Sequence, residues 1–592
     1  MMMEKKRTYV KVLPWILMLG FYLYALYAVL KSGYMYDDLI NYTVDGWCIN
    51  NDATIWNLTK KIFLNWFNEN GRCFIFSCYA YFLFSTVNLK VYKLLIVLFT
   101  FLDGVVLSQI LYKISGRKKV KWYTLLIFPI LISLDCSWFN AMFGFQMLVQ
   151  LCLLWVFLGV LCFQYYLEKN EKKYQLLSCI FWFIALGTYE VAYPMCLLFV
   201  VVSFFKDKSI GKTIRRIIPQ AAVGVFWLLV NVYARTHAIS NYGGTSIAIG
   251  PECFSGFAKH ISGSSSIFHF LTLKELAGNH DIMEILRDNW FYYVGLVVLF
   301  VFGSVLISKI KEKVTLSKKT LPLILTGLIV MIVPGILMAI SERYQSEITW
   351  RHGYIPTYAS CWGIVCLVAI LLGKIAGSRK RIGKVVQVIL VTVLSFVAVV
   401  NAMVGDITVK DANEGMHGIN EFVAEAVQTD LMDELTDDIY YIDGNGCWGE
   451  VDSHFAYLLK RKVKGVGWQK LYVENPDGTK EKTLLVDQIN QEGYYYSIFS
   501  PQQYDVFGKC DSAVVECSEN GTIRKSMYTT KFRVYVDADY TANTLGFIDQ
   551  TGVTAAIPLK DCKIVSETKY GVTYEYTHSE HLDLNTITVY QA

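Results

Sequence analysis

The sequence predicts an α-helical polytopic membrane protein with a separate, mainly β domain at its C-terminal end, and three observations predict it. The 592 residues are 54% hydrophobic and 15% aromatic, with a mean hydropathy of +0.36, too apolar for a soluble chain of this length. Apolar runs approaching the roughly 20 residues of a transmembrane helix recur along residues 12–404. After Val404 the composition turns polar, and runs rich in Val, Tyr, Thr and Phe alternate with turn signals. The formal charge of +5 is small, and its positive part is split into short clusters between apolar runs, which argues against a nucleic-acid surface.

About eleven stretches are candidate spans: residues 12–30, 91–112, 121–135, 147–167, 176–189, 191–205, 217–234, 291–309, 321–340, 355–373 and 385–404. With eleven alternating spans, the basic clusters Lys5-Lys6-Arg7, Arg117-Lys118-Lys119, 169–173, 206–216, 309–319 and 374–384 all fall on one side. By the positive-inside rule that side is cytoplasmic, as is the N-terminus. The arrangement requires residues 73–87 to lie along the outer interface, because a crossing there would put Arg117 to Lys121 outside. The first run has the basic flank of a secretory signal, but its core is as long as a span and no small-x-small site follows, so it is expected to remain as an anchor.

Residues 1–404 thus form a transmembrane domain with outer loops 31–90, 235–289 and 341–356, and a shorter outer stretch at 136–146. Residues 405–592, entered through an amphipathic helix over 414–435, form an extracytoplasmic β-rich domain. Strands are expected in 464–473, 494–499, 531–536 and 572–576, with turns at Asp443-Gly444, Asp477-Gly478 and Asn520-Gly521. Of the fifteen cysteines only Cys447, Cys510, Cys517 and Cys562 belong to this domain, and four cysteines leave three pairings open. No paired CxxC units suggest zinc, and no GxxxxGK[ST] or strand-following GxGxxG suggests a nucleotide.

Chemistry is therefore sought in the outer loops. Asp37-Asp38 follows the first apolar run, and carboxylates placed near hydrocarbon usually face a hydrated cavity and often serve a site. Arg343, Arg351 and His352 gather cations in a late outer loop, where arginine can hold phosphate oxygens with two parallel hydrogen bonds. Arg72 suits either the acidic pair or an anion, and Glu190, between Tyr189 and Tyr193, is a carboxylate in a very apolar stretch. Asp103 lies inside an apolar run and is expected to bind a neighbouring helix. Arg235 and His237 are weaker candidates for a phosphate or headgroup.

Tyr36-Asp37-Asp38 after the first span, then Asp45-Gly46-Trp47, then Gly71-Arg72 before an interfacial segment, resembles the N-terminal pattern of GT-C glycosyltransferases. It is most similar to the branch related to bacterial O-antigen glucosyltransferases. The third span, ending at Asp135-Cys136-Ser137-Trp138-Phe139-Asn140, resembles that family's habit of closing this helix with polar and aromatic residues at the cavity. The resemblance covers residues 1–404 and not the β domain. It implies a GT-C-like fold with an outward-facing cavity and a polyprenyl phosphate sugar as donor, used without a nucleotide; the acceptor expected on topology is a cell-envelope glycan or lipid. It also implies that Asp37 or Asp38 is the general base, that Arg351, His352, Arg343 and Arg72 are sources for binding the donor phosphate, and that Glu190, Tyr189, Asp135, Trp138 and Asn140 line the cavity. Some members of the family use a divalent cation and others do not, so a metal site stays open.

Three other classes share this hydropathy. A flippase or transporter of lipid-linked glycans should show internal repeats, and none is convincing here. A polysaccharide polymerase would depend on outer-loop arginines more than on an early acidic pair. A non-catalytic surface anchor would need neither the acidic pair nor Glu190.

Overall fold

The computed structural model describes residues 2–428 apart from 137–138, 241, 313–319 and 377–380, and beyond 428 chiefly the strands and turns named below. The chain divides into two compact units, Met1–Asp38 with Thr59–Ala412 and Leu39–Leu58 with Asn413–Ala592.

In the first unit, helices fall on each of the eleven apolar stretches. In chain order they are α1 (Met2–Ala25), α2 (Leu89–Ser115), α3 (Lys118–Leu131), α4 (Leu148–Lys169), α5 (Lys172–Leu186), α6 (Leu197–Asp207), α7 (Ile210–His237), α8 (Trp290–Ser308), α9 (Thr320–Ala339), α10 (Thr357–Ile375) and α11 (Arg381–Gln428). Seven are long and apolar enough to cross a membrane: α2, α4, α7, α8, α9, α10 and the first part of α11. This is the make-up of a helical membrane protein. The apolar helix of α1 covers Val12–Ala25, and α3, α5 and α6 have 14, 15 and 11 residues.

The short helices have local causes. Pro129 lies in the last turn of α3, and beyond Leu131 the buried chain leaves the helix at Ile132. Its backbone groups are satisfied by α11: Asn401 Oδ1 accepts from the Leu134 N–H at 3.0 Å, Asn401 Nδ2 donates to the Ile132 carbonyl at 2.8 Å, and Thr408 Oγ1 accepts from the Cys136 N–H at 2.8 Å. Non-helical backbone survives at such depth only when protein supplies these partners. Between α5 and α6 a 3₁₀ turn, Glu190–Cys196, contains Pro194 and breaks what the hydropathy reads as two neighbouring spans. Residues 73–87 hold a helix over Ile75–Thr86 that is shorter than a span.

The α3 helix runs against α2, α4, α8 and α10, as their end contacts show. Lys113 at the end of α2 pairs with Glu168 at the end of α4 at 2.5 Å. Lys119, opening α3, donates through Nζ to the Ala376 carbonyl after α10 at 2.8 Å and through its N–H to Glu312 after α8 at 2.6 Å. The basic clusters around these residues therefore share one end of the bundle. α10 packs on α9 and α3, and α2 packs on α3 and α4. A Cβ at Gly363 would collide with the Met331 backbone of α9, so α9 and α10 touch almost backbone to backbone. Phe128 of α3 stacks on Trp362 of α10 at 3.7 Å, and Tyr358 of α10 donates to Asp103 of α2 at 2.7 Å, so Asp103 does bind a neighbouring helix.

In the second unit, antiparallel strands run in the order Tyr504–Cys517, Ile523–Asp537, Gly571–His578, Lys563–Glu567, and a three-stranded sheet in the order Thr588–Tyr590, Thr544–Ile548, Thr554–Pro558. The alternation of Val534 and Val536 points one face of its strand into a core with Leu545, Phe547, Leu559, Ile587 and Val589. The expected strand at 494–499 lies outside the described residues. The helix expected over 414–435 is not separate: α11 runs unbroken from Arg381 to Gln428. The segment Leu39–Leu58 also joins this unit, where Gly46 lies so close to the Ser453 carbonyl that a Cβ would not fit.

Candidate active site

The two adjacent carboxylates have opposite surroundings. Asp37 opens a five-residue helix, Asp37–Asn41, and its side chain is exposed, although the mass of protein around it raises its pKa above the ordinary carboxyl value. Tyr81 and Tyr354 both stand close enough to feel its charge. Asp38 is fully buried. Tyr92 donates to its Oδ2 at 2.6 Å and the Gln146 N–H to its Oδ1 at 2.8 Å, with the Lys93 ammonium beside it. Burial raises the Asp38 pKa, and Lys93, Tyr92 and the Gln146 N–H oppose that rise.

The loop that Asp38 grips is strained. Phe145, Gln146 and Met147 have φ of 66°, 57° and 59°, three consecutive non-glycine residues in the left-handed region, and Tyr36, Phe139 and Arg351 join them at 55°, 71° and 73°. Each costs of order 1 kcal/mol or more and persists only where the surroundings over-determine it, which happens mostly at functional sites. The determinants are visible here: Asp38 holds the Gln146 N–H, Tyr79 donates to the Gln146 carbonyl at 2.8 Å, and Lys93 donates to the Phe143 carbonyl at 2.6 Å.

From this loop a row of rings crosses the site. Tyr36 stacks on Phe145 (6.0 Å), Phe145 on Phe139 (6.1 Å) and Phe139 meets Tyr354 (4.4 Å). Tyr354 meets Tyr344 (4.6 Å), whose hydroxyl lies 3.3 Å from that of Tyr242. The Arg72 guanidinium sits 4.3 Å from the Tyr242 ring centre and 4.1 Å from that of Phe74, and Arg343 lies 5.1 Å from Tyr242.

The expected cations come with carboxylates already attached. Arg72 makes a two-pronged pair with Glu190 at 2.8 and 2.9 Å, not with the Asp37-Asp38 loop. Burial works against the Arg72 charge, but Glu190 outweighs it and raises the pKa. Arg343 pairs with Glu347 at 2.5 Å and Arg351 with Glu275 at 2.6 Å, while His352 Nδ1 lies 3.2 Å from Asp135 Oδ2. Close to that last pair, His269 is pushed by burial down to about 4 and is neutral at pH 7.

Three residues expected along a cavity are buried. Asn140 is buried, donating to the Ser133 and Asp135 carbonyls at 3.1 and 2.7 Å and accepting from the Met142 N–H, so its side chain closes a loop. Tyr189 is buried behind the Arg72–Glu190 pair. Asp135 is buried against His352. Glu190 remains half-exposed, but on Arg72. Trp138 lies outside the described residues. The sequence reading missed Lys93, Tyr92 and Gln146, and the signal that could have found the first is a lysine at the third position of the apolar run 91–112.

Among the described residues, no three His, Cys, Asp or Glu side chains gather as metal ligands. No step below is routed through a divalent cation. Compared with known proteins, the chain matches no family model and no curated protein.

Proposed function

We propose that the chain is an integral membrane glycosyltransferase of GT-C-like fold, with about eleven spans, moving a sugar from a polyprenyl-phosphate-linked donor to a cell-envelope glycan or lipid. In this reading the basic end of the bundle is cytoplasmic, with the N-terminus, and the site end and the β unit are extracytoplasmic. The observation that carries it is the division of labour in the acidic pair. One carboxylate is exposed and the other is consumed in holding a strained loop beside it.

Asp37 is the base. It takes the acceptor hydroxyl's proton as that oxygen attacks the anomeric carbon, the sugar–phosphate bond breaks, and polyprenyl phosphate leaves with the electron pair. Direct displacement inverts the anomeric carbon. The phosphate is held by Arg72 and Arg343 around Tyr242, or by Arg351 and His352. The two-pronged Arg72–Glu190 geometry is also that of an arginine–phosphate pair, so a donor phosphate takes Arg72 by displacing Glu190. The row of rings between Asp37 and Arg72 offers faces on which a sugar can stack.

The test is a panel of polyprenyl phosphate sugars with cell-envelope extract and protein in proteoliposomes. The proposal expects one donor to be consumed, with free polyprenyl phosphate and a glycosylated acceptor as products. Movement of intact lipid-linked glycan across the bilayer would favour a transporter, and joining of repeat units a polymerase.

A further inference from the structure

We infer that Lys93 is a positioning residue for the acidic pair, acting on Asp37 through Asp38 and the 139–147 loop. The inference rests on the reading of Asp37 as base and deepens it. Lys93 is the fifth residue of α2, is fully buried, and donates to the Phe143 carbonyl at 2.6 Å while its charge faces Asp38. Its neighbour Tyr92 donates to Asp38 from the same helix. One end of α2 therefore grips both sides of the junction, the Asp38 carboxylate and the backbone of the strained loop.

The chemistry requires Asp38 to be ionised. As a carboxylate it accepts from both Tyr92 and the Gln146 N–H, one on each oxygen. A protonated carboxyl keeps one good acceptor and gains a donor: the Tyr92 hydroxyl can turn to accept from a proton on Oδ2, whereas a proton on Oδ1 faces a partner that can only donate and that loses its bond. That partner is the Gln146 N–H, and without its bond the left-handed run at Phe145–Met147 loses a determinant, and with it the aromatic wall beside Asp37. The groups facing Asp38 are Lys93 and Tyr92 from α2, Tyr79 from the Tyr79–Thr86 helix, the Gln146 N–H from the loop, and Asp37 from its own helix; Cys136 also faces Lys93. Lys93 is the one cation among them. Without it Asp38 holds its proton to higher pH, since an opposite charge at such range lowers a carboxyl pKa by roughly 1–3 units.

The experiment compares Lys93→Met, Lys93→Arg and wild type for sugar transfer across pH, with the folded fraction measured for each. Lys93→Met is expected to lower kcat by about tenfold or more near neutral pH with little change in donor KM, and to move the acidic limb at least about one pH unit upward, so that alkaline pH recovers activity. Lys93→Arg should restore the limb. A loss that is the same at every pH, or an unmoved limb with full activity, overturns the inference. An infrared titration of the Asp38 carboxyl, taken as the difference from Asp38→Asn, reads the same shift without any transfer assay. If wild type transfers nothing but Lys93→Met still raises that titration, the reading of Asp37 fails and the coupling of Lys93 to Asp38 stands; an unmoved titration removes the coupling itself.

Discussion

At the scale of residues, the acidic pair was legible in the sequence and its division was not, because neighbouring side chains point apart and only the fold decides which one meets solvent. The decision makes the two asparagine variants different. Asp37→Asn should keep the folded protein and remove the base, with transfer falling about 10²-fold or more. Asp38→Asn puts an amide where two donors converge and leaves Lys93 unmatched, so it should also cost stability, about 1–3 kcal/mol, read as earlier thermal unfolding in detergent. Asp37 works deprotonated and Asp38 must be ionised as well, and burial raises the pKa of both, so the acidic limb of transfer should lie above the ordinary aspartate range of about 3.9. Glu190 separates two roles for its partner. If it occupies the donor phosphate's place on Arg72, Glu190→Gln lowers the donor KM; if the pair only braces the loop, KM rises or stays and the protein unfolds earlier.

At the scale of elements, a helix falls on each of the eleven apolar stretches, but seven of them are long and apolar enough to cross a membrane, and hydropathy did not report the lengths of the others. The runs at 176–189 and 191–205 read as two spans, yet Pro194 and the 3₁₀ turn shorten both. The exit from α3 reads in the sequence, through Asp135 and Asn140, as cavity lining, while what holds it is a polar edge on α11 some 270 residues away, which no local pattern reports. Asn401 carries most of that edge. Asn401→Leu leaves the Leu134 N–H buried without its acceptor and should cost about 1–3 kcal/mol, measured as a lower unfolding temperature, together with lost transfer as Asp135 and His352 shift. Glycine at 405 serves the same contact, since a Cβ there would lie 2.9 Å from Leu134 Cβ.

At the scale of the whole molecule, the acidic pair and the strained loop meet the opening of α2, while Lys113 at its other end and Lys119 at the start of α3 share the opposite end of the bundle with the ends of α4, α8 and α10. Which end faces out is a matter of the positive-inside rule, and reporter fusions test it: a phosphatase joined after residue 250 should be active and one after residue 116 inactive, with the reverse pattern inverting the topology. The central claim is a base-catalysed sugar transfer, and the most direct measurement is transfer from polyprenyl phosphate sugar by purified wild type and Asp37→Asn at equal folded yield. The account predicts turnover by wild type and a loss of about 10²-fold or more in Asp37→Asn. Equal rates in the two proteins, or no transfer by either from any donor in the panel, would contradict it.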